Sequence, residues 1–198
     1  MKQIFYFLLF LSLISCKNET LTCKSFIDWI EEEDHGFLKS EKIGKIGYEV
    51  LFKPVDYLIA LNSIKENLNK SKYTTLKKEY GSMYYFTFKM NSLEKDKHIL
   101  NLNLNEFQSI DERLNYLSFD MSKDFKLVEN KDTIPCTLYH YEQKTGMYNS
   151  ITILLGFPKN KKTQTDFTLI YENHLNNESD VQFRFDKTDI EAIPTLKL

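Results

Sequence analysis

Arginine is almost missing from this chain. Of its 26 lysine and arginine residues, only Arg113 and Arg184 are arginine. The planar guanidinium fork is the preferred reader of base edges and phosphates. With a formal net charge of −2 as well, nucleic acid is not an expected partner. Glycine is scarce too, at 6 residues in 198. No phosphate loop, dinucleotide fingerprint or Gly-x-Ser-x-Gly elbow can be read. The four histidines, at 35, 98, 140 and 174, never fall in a His-x-x-x-His arrangement, and the one Glu-x-x-His spacing, Glu32 to His35, stands alone in an acidic run just before Gly36. A lone spacing of this kind supplies too few ligands for a helix-borne metal site, and no cofactor is expected. Beyond the N-terminal segment the longest apolar run is Ile153 to Phe157, far short of a membrane-spanning helix. Alanine stands only at 60 and 192, which with the abundant Lys, Asn, Ile and Tyr reflects an AT-rich genome and carries no functional meaning.

Hydrophobic residues make up 42% and aromatics 14%, enough for a full core in one domain of ordinary size. The N-terminus begins with Lys2 and an apolar run from Ile4 to Ile14, ending in Leu13-Ile14-Ser15-Cys16. The run is short for a permanent span and has the layout of a secretion signal. Three parts follow: a signal peptide over 1–15, a polar tether over 16–24, and one globular domain over 25–198.

Within that domain, Ser25-Phe26-Ile27-Asp28 has the spacing of a capping box. A short helix carrying Phe26, Ile27, Trp29 and Ile30 is expected, stopped by Gly36. The acids at 31–34 beside His35 cannot all face one point on a helix, so a solvated helix end explains them better than a metal site. Ile46 to Lys53 alternates as a strand. Pro54 then opens the one substantial helix, with Tyr57, Leu58, Leu61, Ile64 and Leu68 at helical spacing as far as Asn69. Tyr84 to Met90 and Leu100 to Leu104 alternate about a polar loop, which predicts a hairpin. Glu106 to Leu117 reads as a short helix. Strands are expected over Phe125–Glu129, Ile134–Glu142, Asn149–Phe157, Asp166–Tyr171 and Val181–Phe185. Ile193–Leu198 reads as an edge strand that tolerates Pro194. The fold class is α+β, mainly an antiparallel sheet or sandwich with one main helix and a short N-terminal one.

Cys16 closes the N-terminal segment, and Cys23 and Cys136 remain beyond it. They could pair in an oxidising envelope, or Cys136 could be a small buried thiol in a strand. Cys136 and His140 share a strand face but lie about 13 Å apart at strand rise, too far for a nucleophile–base pair. Carboxylates are plentiful, yet one sequence nominates no catalytic pair. Tyrosines on a solvated sheet face could stack a sugar or meet a protein; Tyr85, Tyr139 and Tyr141 are the candidates. The same residues also simply fit a half-buried pleated surface.

Leu13-Ile14-Ser15-Cys16 resembles the lipobox of bacterial lipoproteins. That resemblance implies cleavage before Cys16 and a diacylglycerol on its thiol. The lipobox, Trp29 followed by Gly36-Phe37-Leu38-Lys39-Ser40, Tyr48 to Tyr57, and Asp132-Thr133-Ile134-Pro135-Cys136 leading into Leu138-Tyr139-His140-Tyr141 resemble the uncharacterised lipoproteins of the Bacteroidetes type. The family implies no activity. Lys17 after the lipidated cysteine implies sorting to the outer membrane, on its periplasmic or surface face. Asp132-Thr133-Ile134 also resembles the short O-glycosylation motif of such bacteria. The expectation is an envelope lipoprotein bound to the membrane through its lipid anchor, acting as a non-catalytic accessory or protein-binding module. A glycan- or small-ligand-binding lipoprotein is the alternative. A carboxylate-dependent hydrolase and an immunity protein rank after these.

Overall fold

The computed structural model describes residues 19–95, 97–102, 109–142, 150–159 and 165–198. The elements begin with strand β1 (Thr20–Leu21), helix α1 (Cys23–Glu31), β2 (Leu38–Ile43) and β3 (Ile46–Lys53). Helices α2 (Val55–Ser63) and α3 (Lys70–Tyr80) lead to β4 (Met83–Ser92) and α4 (Ile110–Phe119). The second half holds β5 (Phe125–Glu129), β6 (Asp132–Pro135), β7 (Leu138–Glu142), β8 (Ser150–Pro158), β9 (Phe167–Tyr171) and β10 (Val181–Phe185). Short helix α5 (Lys187–Glu191) and β11 (Thr195–Leu196) close the chain.

The strands form a five-stranded antiparallel sheet in the order β2-β3-β4-β8-β7 and a four-stranded antiparallel sheet in the order β10-β9-β5-β6. A third, parallel pair joins β1 to β11. The two large sheets face each other through aromatic rings. Phe52 lies 5.1 Å from Phe167 and 5.6 Å from Phe185, centroid to centroid. Phe88 lies 5.0 Å from both Phe125 and Tyr171. The fold is α+β, an antiparallel sandwich with helices at its margins, and the aromatic alternation of β3 and β4 is what fills it. All four inward residues of β3, Ile46, Tyr48, Val50 and Phe52, are buried.

Several expected elements fall where the pattern put them: β3, β5 and β10 have the expected bounds, and β8 is an interior strand between β4 and β7. Four differ. The cap of α1 is Thr22, whose hydroxyl accepts from the Ser25 amide at 3.3 Å, so the helix starts before the expected Ser25 box. The one main helix is two. Ile64 stays half-exposed, and the Asn69 side chain accepts from the Lys72 amide to start α3 afresh. Only Leu76 of α3 is buried, so no apolar stripe announces that helix. The partners of β4 are β3 and β8. The described part of the expected second hairpin strand, at Ile99–Asn101, is a 3₁₀ turn, and residues 103 and 104 lie outside the described residues. Finally, the run Ile134–Glu142 is divided between sheets, with β6 in one and β7 in the other, and the chain crosses at Cys136-Thr137. Pro135 is tolerated because β6 is an edge strand.

Two tight turns set the registers. Gly44 takes φ 54° in the β2–β3 hairpin. Asn130 and Lys131 both take positive φ, 49° and 72°, between β5 and β6. That is the pattern of a two-residue hairpin turn whose twist matches its strands.

Candidate binding groove on the outer sheet face

The inner face of the five-stranded sheet is spent on the core, so any site on this sheet lies on its outer face. Strand register defines that face row by row. Lys53, Tyr85, Gly156 and Leu138 are cross-strand neighbours in one row; Leu51, Thr87, Leu154 and His140 form the next. Helix α2 and the end of α3 stand over one side. Leu58, Leu61, Tyr80, Tyr85, Leu138 and Leu154 thereby line an apolar groove of about 540 Å³, with Lys53 and Asn62 as its polar groups. Leu61 and Leu138 remain exposed on the rim. Tyr80 meets Tyr85 edge-on at 6.3 Å.

Gly156 shapes the floor. A Cβ there would come within 2.9 Å of both Leu138 Cβ and Met83 Cε, so the missing side chain lets Leu138 lean over the strand. An isolated glycine inside an apolar strand pattern is a sequence signal of close approach; it was the available clue to this groove. Lys53 is half-buried and makes no ion pair within 4 Å among the described residues. Burial pushes its amine below the ordinary lysine range, against the partly opposing charges of Glu142 and Glu31. Further down the same face, Lys89 and Glu49 pair at 2.8 Å, and Tyr57 donates to Glu31 at 2.5 Å.

Of the three tyrosines nominated from sequence, only Tyr85 reaches this face. Tyr139 pairs with Leu155 and Tyr141 with Ile153, both inward residues, and both tyrosines pack against the core. Paired residues share a face of the sheet, so Tyr139 and Tyr141 are corrected to inner-face positions. The Tyr139 hydroxyl is already committed, donating to the Leu117 carbonyl at 2.6 Å.

The other nominated residues are separated. Cys16 lies outside the described residues. Cys23 and Cys136 are both free thiols in this structure. Cys23 opens α1, while Cys136 sits at the sheet crossing with its thiol on the Leu138 carbonyl at 3.1 Å. Burial pushes the Cys136 thiol up to about 11, which suits an inert packed cysteine. His35 stacks on Trp29 at 3.8 Å and bonds its carbonyl through Nδ1. Among the described residues no group of three or more His, Cys, Asp or Glu side chains is placed to hold a metal ion.

Three polar arrangements escaped the sequence reading. Buried Asp124 accepts from the Tyr116 hydroxyl at 2.7 Å and meets His174 Nδ1 at 3.0 Å. Buried Glu129 accepts from Tyr84 at 2.8 Å and Thr165 at 2.9 Å. Fully buried Arg113 donates to the carbonyls of Leu100, Leu102 and Leu175 and to Asn176 Oδ1. Each joins segments distant in sequence, so no local motif could reveal it. Asp124–His174 has the orientation of a catalytic pair, but neither residue lines the apolar groove.

Comparison with protein-family models, with curated proteins and with solved structures gives no match, and the functional reading therefore rests on this geometry and on the N-terminal motif.

Proposed function

We propose that this chain is an envelope-anchored lipoprotein of the outer membrane that works as a non-catalytic binding module. Acyl chains on Cys16 would hold it, and the groove under Tyr85 would receive an apolar segment of another envelope protein. The observation that carries this reading is the groove itself. It opens on the outer side of a sheet whose inner side is filled, and half of its lining residues are leucine, with exposed Leu61 and Leu138 at the rim. It is continuous with β7, an edge strand, so an extended partner segment laid along β7 would direct alternate side chains across the same face. A glycan reading loses support, because Tyr85 is the one nominated tyrosine that faces this groove.

The test is cross-linking of the native lipidated protein in its own membranes, beside Cys16→Ala and Leu138→Asp variants. The expected result is a defined partner cross-linked near β7, lost in Leu138→Asp while lipid and fold persist. A partner kept by Leu138→Asp, or a partner-free monomer, would overturn the reading.

A further inference from the structure

The chain is tied down close to Cys16. Thr20 and Leu21 of β1 pair in parallel with Thr195 and Leu196 of β11. The amide of Thr195 donates to Glu19 O and that of Lys197 to Leu21 O, each at 2.8 Å. The tether is therefore shorter than the expected 16–24, because its second half belongs to the fold. Three residue steps separate Cys16 from Glu19, and at 3.8 Å per Cα step they reach at most about 11 Å. A lipid on Cys16 would thus hold one particular face of the domain against the bilayer.

That face is chemically suited to the position. Around the β1–β11 pair lies a shallow groove of about 480 Å³ bordered by Lys24, Ile64, Glu66, Leu68, Lys197 and Leu198, with Glu66 neutralised by Lys72 and Lys24 paired to Asp28. Ile64 is 50% exposed and Leu198 51%, and both lie among exposed lysines 24, 65 and 197. Exposed aliphatic groups beside Lys65 and Lys197, which are free among the described residues, match the boundary between acyl chains and phosphates. The aliphatic groups enter the apolar edge while the amines stay among the headgroups. Helix α2 explains why Ile64 is here: the helix runs from the end of β3 at Lys53 and delivers its C-terminus beside Cys23 and Lys24.

We infer that the face carrying Ile64, Leu198, Lys24, Lys65 and Lys197 lies on the lipid surface, with Ile64 in the headgroup–acyl boundary and the far end of β3 turned away from the membrane. This rests on the lipid anchor proposed above. It also gives the binding groove an orientation, since both are fixed to the same α2.

The test uses the lipidated full chain with Cys23→Ser and Cys136→Ser, so that an introduced thiol alone takes a bimane label. Labels go on Ile64→Cys, on Lys65→Cys in the same loop, and on Lys42→Cys by the β2–β3 turn. The vesicles are phosphatidylethanolamine and phosphatidylglycerol carrying a doxyl quencher. The expected result is loss of emission at 64 and 65 and none at 42. Undiminished emission at 64 and 65, or equal loss at all three sites, in protein that floats with the vesicles would overturn the orientation while leaving the anchor intact. Protein that does not float and whose mass lacks an acyl adduct would instead overturn the anchor, and this inference with it.

Discussion

Tyr84 on β4 donates its hydroxyl to the carboxylate of Glu129 on β5 at 2.8 Å, a buried bond from one sheet of the sandwich to the other. Glu129 is only 2% exposed, and its other described bond comes from Thr165. The Tyr84→Phe variant leaves an under-satisfied carboxylate in the interior, and a loss of about 2 kcal/mol is expected. Urea unfolding measures it. Glu129→Gln in the Tyr84→Phe background should recover part of the loss, because the neutral amide costs less to bury.

Arg113 is a buried cation held by carbonyl oxygens and one amide, with no carboxylate bonded to it among the described residues. Burial lowers its pKa from the ordinary value. It fastens the turn at Leu100 and Leu102 to the loop at Leu175 and Asn176. Arg113→Met should cost roughly 3 kcal/mol or more by orphaning several acceptors. Arg113→Lys should restore little, since a single ammonium cannot reproduce the spread of a guanidinium. Thermal and urea unfolding of both variants tests this.

The Asp124–His174 bond predicts the direction of a pH dependence. Its hydrogen bond to Asp124 raises the His174 pKa above 6.5. The protonated imidazole therefore favours the folded state, fully so below the unfolded value, and that contribution is lost as pH rises through the folded value. Burial raises the Asp124 pKa as well, so its contribution is also lost on going upward, at lower pH. Because the His174 side chain is 60% exposed, solvent screening keeps its share below about 1 kcal/mol. The unfolding midpoint should fall gently from about pH 6.5 upward, and His174→Gln should flatten that part of the curve.

Cys136 should be silent in the folded protein. With its thiol held near 11 by burial, little thiolate exists at pH 8. In a Cys23→Ser background, iodoacetamide should label Cys136 slowly until denaturant is added. Rapid labelling of the folded protein would show that the sheet crossing opens.

Gly156→Ala tests the groove floor. The added methyl group meets Leu138 Cβ, which moves only with the β7 backbone. A stability loss of about 1–3 kcal/mol is expected, together with weaker capture of any partner bound along β7. Unfolding midpoints and cross-linking yields read the two effects separately.

Period-two alternation carried most of the sandwich. Tyr48, Val50 and Phe52 alternate with half-exposed residues, and burying one face of such a strand admits only one register. The scarcity of arginine, glycine and motif-spaced histidine was likewise legible at once. What the sequence hid has common causes. Helix α3 buries one side chain and so shows no stripe. Asp124–His174 and Tyr84–Glu129 join residues 50 and 45 apart. Tyr85 and Tyr139 look alike in sequence, yet register puts them on opposite faces.

By itself, then, the sequence determined the α+β class, the alternating strands and the N-terminal motif, because each is written in neighbouring residues. Only the tertiary structure decided that β6 and β7 part into different sheets, that Tyr85 lines the groove while Tyr139 and Tyr141 face the core, and that β1 pairs with β11. Those outcomes depend on which distant strands pair and in what register, a choice made by burial across the whole sandwich and by no local run of residues.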